Sequence, residues 1–191
     1  MAKILFKKML GKCTKEEKYS TITVSVIPVG GYENTAKLAI ETKRMLFSGA
    51  KVFAVWDEDV FSVTIPGDTT HRIEKLYNDN RELIYSLGFT PELCIVESIE
   101  SLSTSLVSAI RKEFKCEIRT VLSDKDYLEC HGNNPRKVAK KKLDVIIDFL
   151  KSYSGYSYDI VIDKLADIVL ENTYGESDIK EIIMPILSKI M

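Results

Sequence analysis

Residues 52–59 read VFAVWDED, so two aspartates, Asp57 and Asp59, flank a glutamate directly after five apolar residues. A short β-branched apolar run of this kind reads as a buried strand, of a parallel sheet covered on both faces. Ligands of open α/β sheets bind beyond the carboxyl ends of the strands, which is where the two aspartates are expected. On extended backbone, residues two apart project to the same side. Two carboxylates converging there suit a hard divalent cation, which takes oxygen ligands. The competing reading is a solvated acidic turn after a strand.

Other residues with chemical potential are less well accompanied. His71 and His131 have nothing at catalytic spacing beside them and read as loop or surface histidines. Cys13, Cys94, Cys116 and Cys130 show no C-x-x-C pair. The adjacent Cys130 and His131, with Cys116 upstream, are poor zinc-ligand spacing. Reduced thiols of a cytoplasmic protein are the expectation. Gly30-Gly31 invites a phosphate-loop reading, but neither G-x-x-x-x-G-K-[ST] nor G-x-G-x-x-G is present. A tight turn between strand and helix is the direct reason for the pair.

The elements that would position the aspartates follow from periodicity. Ile22, Val24 and Val26 alternate and Ile27 continues the run, which predicts a strand stopped by Pro28 and the glycines. A helix is expected over about 34–47, with Ala36, Ala39, Ile40, Lys43, Leu46 and Phe47 on one face and Gly49 after it. With the strand 52–56, this makes a right-handed βαβ crossover. The loop FSVTIPGDTTH follows Asp59 and carries the turn signal Pro66-Gly67. A helix over about 70–87, a strand at 92–96 and a helix over 99–114 come next, and 118–122 is ambiguous. Before all of these, residues 3–10 predict a short amphipathic helix ended by a loop at Gly11.

The last third predicts helices. Ala139, Leu143, Ile146, Ile147 and Leu150 recur at three and four, as do Val161, Leu165 and Ile168, and then Ile179, Ile182, Ile183, Ile186 and Ile190. Pro185 should kink or break the last pattern. Tyr153, Tyr156 and Tyr158 around Gly155 read as a packed hinge. A boundary near 123–135 divides the chain into an α/β domain, 1–122, and a helical subdomain, 123–191.

The segment VSVIPVGGYENTAKLAIETKRMLFSGAKVFAVWDED resembles the TOPRIM domain of the OLD-family (overcoming lysogenization defect) ATP-dependent endonucleases. In that family a strand ends in Gly-Gly, a helix follows, and the next strand ends in Asp-x-Asp. The opening KILFKKML is similar to the family's helix after its first catalytic strand. The resemblance implies a TOPRIM-like, Rossmann-like, mostly parallel sheet with flanking helices. It implies a nuclease that cuts or nicks DNA with Mg2+ or Mn2+, of the kind that serves in phage defence. By this match Asp57 and Asp59 are metal ligands, Glu97 or Glu100 is a further ligand or orienting acid, and Lys137, Lys140 or Lys141 is the phosphate-binding lysine. The family's opening strand ends in Glu-Gly, and this chain has neither that strand nor its glutamate before Lys3. The remaining acid is therefore expected from a longer chain or from a partner ATPase. The alternative is an inactive TOPRIM-like module that binds a partner ATPase or DNA, or forms a homo-oligomer, with the acidic helices after 143 as its docking surface.

Composition agrees with a folded chain. Its 191 residues suffice for one domain, or a domain with a helical appendage, and 45% hydrophobic residues support a sizeable core. With 27 basic against 28 acidic residues, any DNA contact must be local. Residues 1–18 hold six lysines against two glutamates, and 136–142 hold Arg136, Lys137, Lys140, Lys141 and Lys142 with no acid. Residues 143–191 hold nine acids against four lysines. No apolar run is long enough for a bilayer, and the first ten residues are too lysine-interrupted for a good signal peptide.

Overall fold

The computed structural model describes residues 2–13, 27, 29, 31–46, 50–56, 68–86, 90–174 and 176–190. The chain divides into two units, one of Met1–Thr23 with Pro91–Ile183 and the other of Val24–Thr90 with Met184–Met191. The class is α/β: mostly helical, with one small parallel sheet.

That sheet belongs to the second unit. In chain order its elements are α2 (Tyr32–Met45), β1 (Ala54–Trp56), α3 (Asp68–Asp79) and β2 (Ile84–Ser86). The strands run parallel with Ala54 opposite Ile84, Val55 opposite Tyr85 and Trp56 opposite Ser86. Parallel neighbours need a crossover connection, and α3 lies within it. Helix α2 carries Glu33 in its first turn and Lys43 and Arg44 in its last, which complements the helix dipole. Its buried face is small, Ala36 and Ala39, and the bulk of this core comes from Trp56, with Ala54, Ile73 and Ile84 beside it.

Among the described residues the elements of the first unit are all helices. Its elements are α1 (Ala2–Cys13), α4 (Pro91–Glu100), α5 (Thr104–Phe114), α6 (Ile118–Leu122), α7 (Lys125–Leu128), α8 (Pro135–Ser154) and α9 (Tyr158–Asn172). Helix α10 (Glu176–Ile190) belongs here up to Ile183. Ala139, Leu143, Ile146, Ile147 and Leu150 of α8 and Val161, Leu165 and Ile168 of α9 are all buried, as their spacing predicts. They share one core with Ile95, Ile99, Leu106, Ile110 and Phe114. The helix ends are well defined. The Asn134 side chain accepts from the Lys137 backbone N–H at 3.0 Å, Pro135 occupies the first turn, and Gly155 closes α8 at φ 70°. Beyond it Tyr156 packs edge-on against Phe114, but Tyr153 and Tyr158 are exposed, so the packed hinge expected of the three tyrosines holds for Tyr156 alone.

Several expectations need correction. Residues 92–96 form part of α4, not a strand. Pro91 opens the helix, and Ile95, Val96 and Ile99 are buried at helical spacing, which a five-residue apolar run does not reveal. The helix expected over 70–87 ends at Asp79. A turn closed by Leu83 N–H to Asn80 C=O, 2.9 Å, then leads into β2. The helix expected over 99–114 is two helices, because Ser103 caps a new one through Leu106 N–H. Residues 118–122 are helical. Helix α1 runs through Gly11 to Cys13, and α10 continues through Pro185.

The boundary expected at 122/123 cuts through the core that joins α4 and α5 to α8 and α9. Likewise α1 belongs to the helical unit. Its Lys8 reaches Asp163 at 3.0 Å and Asp167 at 2.6 Å, two acids one turn apart on α9. Of the expected strand over 22–27 only Ile27 is described, and it is exposed. Among the described residues no single helix is long and apolar enough to cross a membrane.

Candidate functional site

The carboxyl end of β1 is the structural setting of the acidic motif. Asp57 and Asp59 themselves lie outside the described residues, as does the loop to Gly67. What precedes them is firmly held. Trp56, the last residue of β1, is 2% exposed. Its ring meets Tyr32 edge-on with centroids 5.8 Å apart and Tyr77 at 6.4 Å, and Arg81 lies 5.6 Å from the centre of the Tyr77 ring. Tyr32 is the first residue of α2, so this contact brings the amino terminus of α2 to the carboxyl end of β1. A helix amino terminus carries positive partial charge and favours anions, and in α/β sheets this edge is where ligands collect.

Gly31 makes the entry into α2. Its φ of 77° and ψ of 146° lie in a region that side-chain-bearing residues avoid. Its carbonyl accepts from the Thr35 backbone N–H at 3.1 Å and from the Thr35 hydroxyl at 2.8 Å. The tight-turn reading of the glycine pair is thus met at Gly31. A Cβ placed there meets nothing within 4 Å, so only backbone conformation opposes substitution. Gly31→Ala is expected to destabilise the α/β unit by about 1–3 kcal/mol in urea unfolding. A change below a few tenths would mean that another conformation serves equally well.

The other acids and bases expected in a site lie elsewhere. Glu97 and Glu100 are on α4 of the helical unit, because 92–96 is not a strand leading to a sheet edge. Glu97 is exposed. Glu100 accepts from Lys142 Nζ at 2.6 Å and from the Tyr127 hydroxyl at 2.8 Å, and Lys142 lies 5.0 Å from the centre of the Tyr127 ring. This triad ties α4, α7 and α8 together. Burial pushes the Glu100 carboxyl up, but the Lys142 ammonium and the Tyr127 hydroxyl outweigh it and hold its pKa below the ordinary value of 4.5. A carboxyl with a depressed folded pKa contributes stability that is present above its unfolded pKa and lost as pH falls through the folded value. Glu100→Gln is therefore expected to cost about 1 kcal/mol near neutral pH, discounted for its partial exposure, and to lose that difference as pH falls through the lowered folded pKa. Parallel unfolding curves at neutral and acid pH check this, and a pH-independent difference would contradict it.

Lys137, Lys140 and Lys141 are exposed on α8. His71 is exposed, 3.8 Å from Glu74, and His131 is exposed as well. The cysteines are free thiols. Burial pushes the Cys94 and Cys116 thiols up. Among the described residues no three histidine, cysteine, aspartate or glutamate side chains gather as a metal site.

Sequence reasoning missed both the aromatic group around Trp56 and the Glu100 triad. Tyr32 beside the glycine pair was a usable signal for the first. The second joins residues 27 and 42 positions apart, which no local pattern reports. No family model, curated protein or solved structure matches this chain.

Proposed function

We propose that the α/β unit carries part of a divalent-metal-dependent phosphodiesterase site of the OLD-type TOPRIM kind, with Asp57 and Asp59 as the ligands of Mg2+ or Mn2+ and DNA as the substrate. One observation carries the reading. A glycine turn at Gly31 leads into α2, and the next element, β1, is a parallel strand whose last residue immediately precedes Asp57. This is the order of parts that the resemblance calls for.

The donor set fits the ion. Two carboxylates are hard oxygen ligands of the type magnesium and manganese prefer, and magnesium is typically held by one or two carboxylates with waters and substrate phosphate completing its shell. Bound there, the ion supplies charge to the phosphoryl oxygens and lowers the pKa of a water. Trp56, locked between Tyr32 and Tyr77, fixes where the acidic segment leaves the strand. The amino terminus of α2 adds positive potential at the same edge. A further acid, which the family draws from its Glu-Gly strand, comes in this reading from a longer form of the chain or from a partner ATPase.

Supercoiled plasmid incubated with the chain in Mg2+, in Mn2+ and in EDTA tests this, alone and with the partner ATPase and ATP. Nicking that requires the metal supports the reading, as does nicking that appears only with the partner. Absence of nicking in every arm overturns it, and favours a binding module without activity.

A further inference from the structure

We infer that the amino-terminal half of α8 is a docking surface for the phosphate backbone of double-stranded nucleic acid. Arg136, Lys137, Lys140 and Lys141 fall within six residues, and no acid lies between Glu129 and Asp144. At 100° per residue Lys137, Lys140 and Lys141 fall on the solvent side of α8, outside its buried stripe of Ala139, Leu143, Ile146 and Ile147, whereas Arg136 falls in line with that stripe. Lys137, Lys140 and Lys141 are exposed and form no ion pair among the described residues. The fifth cation of the run, Lys142, is half-buried and turned inward to Glu100.

Folding does not account for this arrangement. The first turn of α8 holds no acid, although acids are the residues that the positive amino terminus of a helix favours. Like charges one turn apart repel, as Lys137 and Lys141 do. The cluster thus opposes the helix it sits on, and the opposition is relieved when a polyanion covers it. Lys8 and Lys164, elsewhere in the unit, are each paired to an acid on another helix. The length also suits a duplex. From residue 137 to 141 the helix rises about 6 Å, and over that length a double helix presents about three to four phosphate charges. A single small anion would engage only part of the cluster.

Lys137, Lys140 and Lys141 are also the lysines that the resemblance offers for phosphate binding, but docking needs no metal and is read without nicking. Binding of the full chain to fluorescein-labelled duplexes of mixed sequence, one DNA and one RNA, is measured by anisotropy in EDTA across a salt series. Lys137→Gln/Lys140→Gln/Lys141→Gln is expected to weaken binding at least tenfold at low salt. It should also flatten the plot of log affinity against log salt by about 0.9 per lysine. Lys7→Gln/Lys112→Gln, which removes two exposed lysines outside the cluster, should bind within twofold of wild type. Binding is read in EDTA, where metal-dependent nicking is silent, so loss of nicking and loss of docking are read apart. The triple variant should melt at or above the wild-type temperature, since it loses only repulsion. If it melts lower, Lys140→Gln/Lys141→Gln, which spares the first turn, replaces it and should flatten the salt plot by two lysines' worth. An unchanged salt slope in the variants overturns the inference. So does absence of duplex binding by wild type, including the case where sedimentation shows the lysines holding a second copy of the chain.

Discussion

Metal-dependent plasmid nicking is expected to fall to the EDTA level in Asp57→Ala/Asp59→Ala, with circular dichroism and melting temperature unchanged. Neither is an apolar side chain of the kind that builds the core of Ala36, Ala39, Ala54, Trp56, Ile73 and Ile84. Their effect should therefore be on chemistry and not on folding. Losing a residue that merely supports a metal ligand costs about 10- to 100-fold. Losing both proposed ligands should exceed the upper end of that range. Asp57→Asn/Asp59→Asn keeps the shape and removes the charge, and is expected to be equally inactive. A conservative pair that retained more than a tenth of the wild-type rate would place the metal on other residues and sink the proposal. The same variants in the presence of the partner ATPase separate a split site from an inactive module, because only a split site can lose an activity that the partner restores.

The largest effect on stability is expected from Phe114→Ala, at about 3–5 kcal/mol. Phe114 is fully buried at the end of α5, and its ring stands edge-on to Tyr156 with centroids 6.2 Å apart. The surrounding core draws on α4, α8 and α9 as well, so a cavity there is bordered by several packed helices and collapses poorly. A loss of this size is a large share of the roughly 5–15 kcal/mol by which domains are stable. Phe114→Leu, which keeps most of the volume, should cost less than about 1.5 kcal/mol. Urea unfolding followed by tryptophan-independent circular dichroism measures both. Hydrogen exchange in Phe114→Ala should speed up in α5, α8 and α9. A cost below about 1 kcal/mol would show that the ring is not packed as described.

The helical unit was readable wherever a helix was long. Two turns or more of apolar residues at three and four identified the buried faces of α8 and α9 residue by residue. Short runs were not readable in the same way. Leu93 to Val96 and Leu83 to Tyr85 are both brief apolar stretches, yet one lies in a helix and the other in a strand. The first has a proline at its amino end and buried partners one turn on, at Ile99. The second follows Asn78, Asp79 and Asn80, which end α3, and pairs with β1 some 30 residues earlier. Within the candidate site, the glycine turn and the strand end were legible because each is local. The aromatic contact of Tyr32 with Trp56, and the capture of Glu100 by Lys142 and Tyr127, were not.

The amino-acid sequence by itself determined the acidic motif after an apolar strand, the glycine turn before α2, the helical periods and the run of cations at 136–142. Each depends on residues within a few positions of one another, where backbone geometry alone decides which side chains share a face. Only the tertiary structure decided that α1 joins the helical unit, that one core runs across residues 122 and 123, and that Glu100 serves a triad. Those outcomes depend on which apolar faces and which charges meet across long separations, a choice made by the whole packed core and by no segment alone.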